Sequence, residues 1–296
     1  MPTLREVRAR ISGVKKTQKI TKAMKMVAAA KLRRAQNAVV AARPYARKIQ
    51  ELLQHLNANA EILLDPVLVE REINAVALVV VTADRGMCGA FNSNVVKAAR
   101  NHAEANYQEL LAAGRVTFFC VGRKGADALS KQGYAVPEKY VGVYNNLLFT
   151  EVSRVARRIV DGYLKGEFDR VEVVYNEFKS ASRQRLVVEP FLPVPAEALG
   201  IVGRQPRPVN YIYEESNREI ARVMVPKHVE FQMWRIVLES NAAEQGARMV
   251  AMDNATENAN ELISTLQLLY NKARQAAITK ELLEVVGGAE ALRSEG

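Results

Sequence analysis

The residues best placed to do chemistry in this chain lie in one short stretch, TADRGMCGAFN, Thr82 to Asn92. Cys88 is a candidate nucleophile, Asp84 and Arg85 are a candidate acid/base pair, and a glycine-bearing turn between a strand and a helix can cradle a phosphate. Each has a plainer reading. No histidine stands near Cys88 in sequence to activate it, so a small packed thiol is simpler. Asp84 with Arg85 suits a local salt bridge or a helix cap. Gly86 and Gly89 match neither G-x-G-x-x-G nor G-x-x-x-x-G-K-[ST], and so serve a tight turn. The second cysteine, Cys120, and the scattered His55, His102 and His228 leave no metal-ligand spacing and no disulfide framework. The reading is no catalytic residues, no cofactor and no metal, with both thiols free in a reducing compartment.

That stretch is positioned by an α/β middle. Ala75–Thr82 is a continuous apolar run, as expected of a strand buried on both faces. Asn92–Ala113 reads as a helix, Arg115–Val121 as a strand, Arg123–Gln132 as a short helix, Leu147–Lys165 as a helix and Asp169–Tyr175 as a strand. Leu186–Val188 is expected to pair with Val209–Tyr213 across a proline-rich connector. Strands alternating with helices imply a largely parallel sheet.

Two long helices flank this middle. Leu4, Val7, Ile11 and Val14 step by three and four, and Ala35, Ala38, Ala42, Tyr45, Ile49, Leu52 and Leu56 resume the rhythm. Ile20, Met24, Val27 and Ala28 are placed on the looser stripe between them. Residues 3–56 would span ~80 Å if unbroken, with Pro44 expected to bend or weaken one turn. At the other end, Val229 to Val250 and then Met252, Ala255, Ala259, Leu262, Leu266, Leu269, Ala273 and Ala276 repeat the pattern after a small phase shift. Residues 227–286 would form a helix of ~90 Å. Stripes of this length must be covered. The economical solution is an antiparallel, left-handed coiled coil of the two termini, with Ala35, Ala38 and Ala42 close against Ala243, Ala247, Ala255 and Ala259. The expected domains are 1–58 and 215–296 (the coiled-coil helices), 59–74 (a linker) and 75–214 (the α/β domain).

Composition narrows the function. Of 296 residues, 49% are apolar and 25% charged, which excludes a disordered chain. No apolar run approaches the ~20 residues that span a bilayer, so an integral membrane protein is not expected. The net charge of +10 is unevenly placed: the first 50 residues hold 14 Lys/Arg and one acid, Glu6, while the other 246 hold 28 Lys/Arg and 31 Asp/Glu. The basic end invites a rival reading, a basic coiled-coil nucleic-acid-binding protein, which predicts DNA binding with a steep salt slope. Yet only Tyr45 is aromatic there and the cations surround an apolar seam, which favours protein pairing. A second rival is an α/β enzyme using the Asp84–Gly89 loop, with the helices as a dimerisation arm.

Two stretches are specific together. ISGVKKTQKITKAMKMVAAAKLRRAQ, Ile11 to Gln36, resembles the N-terminal signature of the bacterial-type gamma subunit of F-type, proton-transporting ATP synthase. AAEQGARMVAMDNATENA, Ala242 to Ala259, with LYNKARQAAITKELLEVVGGAEAL, Leu269 to Leu292, resembles its C-terminal signature, and the Thr82–Asn92 loop resembles that family's post-strand loop. Ala243 stands where the family usually has Ser. No extra cysteine-bearing loop interrupts the α/β domain, so a redox switch of the chloroplast kind is not expected.

The resemblance implies paired terminal helices with a Rossmann-like α/β domain inserted between them. It implies a rotor shaft without chemistry of its own, turning inside three alpha and three beta subunits. It implies contacts at the foot with epsilon and the membrane ring of c subunits, at the cytoplasmic face of a bacterial inner membrane. Proton flow would turn ring and shaft, and the asymmetric shaft would drive the beta sites through ATP synthesis. No nucleic acid or small-molecule substrate is implied. By the same resemblance Met24, Lys25, Met26, Arg248, Gln275, Thr279 and Glu284 are torque contacts, and Tyr211, Tyr213 and Glu214 lie on the rotor-ring side. Lys25 and Arg248 are both expected on helix surfaces, important for coupling rather than folding.

Overall fold

The computed structural model describes residues 3–57, 66–195, 199 and 216–294. It divides into two compact units, Met1–Val27 with Met249–Gly296, and Ala28–Arg248.

Two helices contribute to both units: α1, Leu4–Asn57, and α6, Asn217–Ser294. Each starts from a capping box. Thr3 and Glu6 bond reciprocally, the Glu6 amide donating to Thr3 Oγ1 at 3.3 Å and the Thr3 amide to Glu6 Oε2 at 2.9 Å. Ser216 and Glu219 repeat this at the head of α6, at 3.3 and 3.2 Å. Both boxes satisfy amides that a helix start leaves orphaned. The box at Ser216 starts α6 ten residues before the expected 227, with Pro226 inside the helix. α1 passes through Pro44 unbroken. Pro44 removes the donor to the Val40 carbonyl, and both residues face solvent, where water can replace it.

In the second unit a five-stranded sheet is ordered β3-β2-β1-β4-β5. Its strands are β1 Val76–Val81, β2 Val116–Val121, β3 Glu138–Tyr140, β4 Arg170–Phe178 and β5 Gln184–Leu192. The first four are parallel, and β5 pairs antiparallel with β4, Leu186 opposite Asn176. Leu186–Val188 therefore pairs with β4; residues 209–213 lie outside the described residues. β5 is an edge strand, where Pro190 costs no ladder bond that a second neighbour would need. The expected single helix over 92–113 is two, α2 Phe91–Asn106 and α3 Gln108–Ala112, because the backbone leaves the helical basin at Tyr107. α4, Arg123–Lys131, and α5, Phe149–Leu164, complete the crossovers.

β1 is buried along its whole length, on both faces. Its odd residues, Ala77, Val79 and Val81, pack with α5, with α6 through Val229, Met233 and Val237, and with Ile49 and Leu53 of α1. Its even residues, Val76, Leu78 and Val80, pack with α2 and α4. Within this unit α1 and α6 run side by side in opposite directions. The Tyr45 and Phe231 rings stand 5.0 Å apart, and Lys31 faces Glu244 thirteen residues further along α6. Tyr45 itself is 53% exposed; Ala42, Ala46, Ile49 and Leu53 hold this end of the seam in place of Tyr45 and Leu52.

In the first unit the two helices are again antiparallel. Gln18 donates to Asn260 Oδ1 at 2.5 Å, the Thr21 and Thr256 hydroxyls are 2.8 Å apart, and Lys25 pairs with Asp253 at 2.5 Å. Arg8 lies over the Tyr270 ring at 5.8 Å. The seam of α1 keeps its three-four step from Val14 to Gln18 and Thr21, which leaves Ile20 and Val27 exposed rather than on the stripe. On α6 it runs Met252, Thr256, Ala259, Ile263, Leu266, Tyr270, so Ala255, Leu262 and Leu269 are displaced by one position from their expected places.

Candidate functional site

Strand order reverses direction between β1 and β4, and a crevice beyond the carboxyl ends of strands at such a point is where open α/β sheets bind ligands. The Thr82–Asn92 loop sits there. Thr82 Oγ1 accepts the Gly125 amide at 2.8 Å, and a Cβ on Gly125 would come equally close to that oxygen. Asp84 accepts the Arg123 amide at 3.0 Å and the Gly142 amide at 3.1 Å, so it caps α4 and ties down the loop after β3. It forms the helix cap, and Arg85 is left exposed. Met87 and Gly89 take left-handed φ values of 60° and 58°, which turn the chain sharply toward α2.

The thiols are inert. Burial pushes the Cys88 thiol up, and its sulfur accepts from Asn92 Nδ2 at 3.2 Å. Burial pushes Cys120 up to about 12. Both are buried free cysteines. Of the histidines, His228 is pushed down to about 4 by burial and by Arg235, and His102 bonds Glu172 at 2.6 Å. Among the described residues no three His, Cys, Asp or Glu form a group that could hold a metal ion.

The crevice is filled by the protein itself. Ala243 and Ala247 of α6 pack on Ala83, Cys88 and Phe91, so these two alanines meet the loop. Arg248 donates from Nη2 to the carbonyls of Gly86, at 3.2 Å, and Arg85, at 3.5 Å, and from Nη1 to Glu244 Oε1 at 2.5 Å. Its side chain is only 13% exposed and that of Glu244 6%. Arg248 is therefore not a surface charge, as expected from sequence, but an internal clamp. Glu244 Oε2 is buried without a hydrogen-bond partner, and burial raises the carboxyl above its usual range while Arg248 opposes the shift.

The other sequence-derived sites lie in the first unit or outside the described residues. Met26 is 62% exposed, Met24 is half-buried, and Lys25 holds Asp253 with both side chains about two-fifths exposed, at 40% and 42%. Gln275, Thr279 and Glu284 are exposed on α6. The Thr279 hydroxyl donates to the Gln275 carbonyl at 3.0 Å, and Lys280 lies 3.6 Å from Glu284. Tyr211, Tyr213 and Glu214 lie outside the described residues. Sequence reasoning missed Glu244 and the Gln18–Asn260 and Thr21–Thr256 rungs. The signal was there: Gln18, Thr21 and Thr256 keep the step of three and four but are polar, with Asn260 beside the seam.

The fold and this filled crevice define a class: a pair of long terminal helices carrying an α/β domain whose ligand crevice holds protein. A family model described as ATP synthase matches residues 3–292. The chain is 50% identical over 295 residues to the "ATP synthase gamma chain" of Cytophaga hutchinsonii, covering 99% of this chain and 100% of that one. It is 52% identical over 294 residues to that of Chlorobium phaeobacteroides, with 99% and 100% covered. Among solved structures it is similar to a chain of the Euglena gracilis mitochondrial ATP synthase (OSCP/F1/c-ring), with TM-score 0.67 and 23% identity over 98% of this chain and 95% of that one. It is also similar to a chain of the Tetrahymena thermophila mitochondrial ATP synthase (central stalk and c-ring), with TM-score 0.60 and 25% identity over 80% and 99%. The chain belongs to the ATP synthase gamma chain family. The nucleic-acid reading finds no support, since the basic helix spends its apolar stripe on α6.

Proposed function

We propose that this chain is the central rotor shaft of an F-type ATP synthase, coupling proton flow to ATP synthesis in the catalytic head. The observation that carries the reading is the helix pair of the first unit. Polar rungs and a narrow seam that includes Met252 and Leu266 hold its two helices together, while Ile20, Met26, Val27 and Leu268 face outward and Leu282 and Leu283 are exposed on α6 past the start of α1. Apolar residues on the outside of a helix pair call for a surrounding protein surface.

A ring of three alpha and three beta subunits supplies that surface in this reading. The α/β domain, residues 75–214, faces epsilon and the c ring, with Tyr211, Tyr213 and Glu214 on the ring side. The complex sits at the cytoplasmic face of a bacterial inner membrane; among the described residues no helix of this chain is long and apolar enough to cross one. Met24, Lys25, Met26, Gln275, Thr279 and Glu284 meet the head directly. Arg248 acts on torque through its hold on the β1 loop. The chain contributes geometry and charge, and the catalysis belongs to its partners.

The test uses the assembled complex with a bead attached through Lys131→Cys, an exposed position on α4; the two native thiols are buried and leave labelling selective. ATP is expected to drive unidirectional rotation of the bead about the immobilised head. A stationary bead on complexes that are hydrolysing ATP would overturn the reading.

A further inference from the structure

The sheet face opposite α6 carries α2 and α4, which follow parallel strands and so run side by side in one direction. Between them lies a cleft of about 450 Å³. Val96 and Ala128 form its apolar floor, and Lys97, Arg100 and Lys124 stand around it with no acid among its lining residues. Lys97 and Lys124 are exposed, and among the described residues neither has a carboxylate within ion-pair reach. Arg100 is partly engaged: its Nη2 donates to Asn101 Oδ1 at 3.3 Å and it pairs with Glu104 at 3.6 Å, while its Nε is buried with no hydrogen-bond acceptor and Glu104 also accepts the Tyr134 hydroxyl at 3.1 Å.

We infer that this cleft docks an acidic, amphipathic helix of a partner protein. An apolar floor between two helices is matched by the apolar stripe of a third. Two lysines without a carboxylate and the partly paired Arg100 select acidic flanks and reject basic ones. The lining runs from Asn92 to Arg100, about 12 Å along α2, which is two helical turns. Glutamates at i, i+4 and i+7 of a partner helix cover the same length. A free phosphate would engage the cations and leave the floor wet. This surface borders the Thr82–Asn92 loop at Asn92 and opens on α2 and α4 of the second unit, and it adds a partner contact that the shaft reading does not require.

The test titrates the full chain with a labelled synthetic helix that carries leucine and alanine on one face and glutamates beside it, against its glutamine analogue. Lys97→Glu and Lys124→Glu are each expected to weaken the glutamate peptide about tenfold or more, while Lys165→Glu, an exposed charge ending α5 on the other face, changes it less than about twofold. The glutamine analogue is expected to bind at least about tenfold more weakly. Equal loss in all three variants would mean diffuse attraction to a basic chain and overturn the proposal. So would equal binding of the analogue, no saturable binding, or displacement of the peptide by inorganic pyrophosphate, which would mark a small-anion site.

Discussion

The two units bury apolar residues on different scales. In Ala28–Arg248 a sheet supplies a deep core: β1 is fully buried, and both sheet faces are covered by helices. In Met1–Val27 with Met249–Gly296 polar rungs share a one-residue-wide seam with Val7, Met252 and Leu266, and Ile20, Val27, Leu262 and Leu268 point out. The difference separates a part that folds on its own core from a part whose surface is completed by something else. Hydrophobic stabilisation scales with the area removed from water, so the first unit is expected to be the weaker of the two when alone.

The sharpest contrast comes from one substitution made twice. Leu78→Ala, at a site with 0% exposure, is expected to cost about 4 kcal/mol; Leu268→Ala, at 66% exposure, stays within about 0.5 kcal/mol. Urea unfolding of the full chain measures both, and equal costs would erase the distinction between the units.

Arg248→Ala comes next, at about 3 kcal/mol, because it strands a buried carboxylate and frees two loop carbonyls. The same pair predicts a pH effect. Burial, opposed by Arg248, raises the Glu244 carboxyl above its ordinary 4.5. The folded state therefore holds this proton more tightly than the unfolded one; its contribution is full below the unfolded value and is lost as pH rises through the folded one. Glu244→Gln cannot lose it, so the variant is expected to gain on the wild type in denaturation midpoints as pH rises above about 4.5.

Gly125→Ala tests the packing of the loop on α4. Its methyl would lie 2.8 Å from Thr82 Oγ1, for an expected loss of about 2 kcal/mol, recovered in part by Thr82→Ser, which removes a second close atom, Cγ2. The smallest stability effect belongs to the first unit. Lys25→Ala breaks a pair exposed on both sides, for about 0.5 kcal/mol that shrinks in high salt. In reconstituted vesicles Lys25→Glu is nonetheless expected to lower proton-driven synthesis relative to ATP-driven pumping. An unchanged ratio would remove Lys25 from the torque contacts.

Most of the fold was legible because β1 and β2 are nearly pure apolar runs, with Gly114 and Gly133 ending helices where a left-handed residue is needed; β3, with the sequence EKY, carries no such run and was missed. The long helices were legible as helices but not in register. Ile20, Tyr45 and Leu262 drew the seam toward themselves because they are apolar, whereas the step of three and four leads to Gln18, Thr21 and Thr256. The antiparallel turn of β5 was hidden because the sequence of an edge strand does not name its neighbour. Arg248 was misread as a surface charge because nothing local shows that the carbonyls of Arg85 and Gly86, some 160 residues away, stand over it.

The central claim is that the first unit's outer surface is completed by partners while the second unit's core is its own. Amide hydrogen exchange, on the free chain and on the assembled complex, tests it most directly. Residues 278–286 are expected to exchange quickly in the free chain and to slow at least ~100-fold on assembly, while Val76–Val81 is protected equally in both. If residues 278–286 of the free chain are already as protected as β1, the first unit is self-sufficient and the account is wrong.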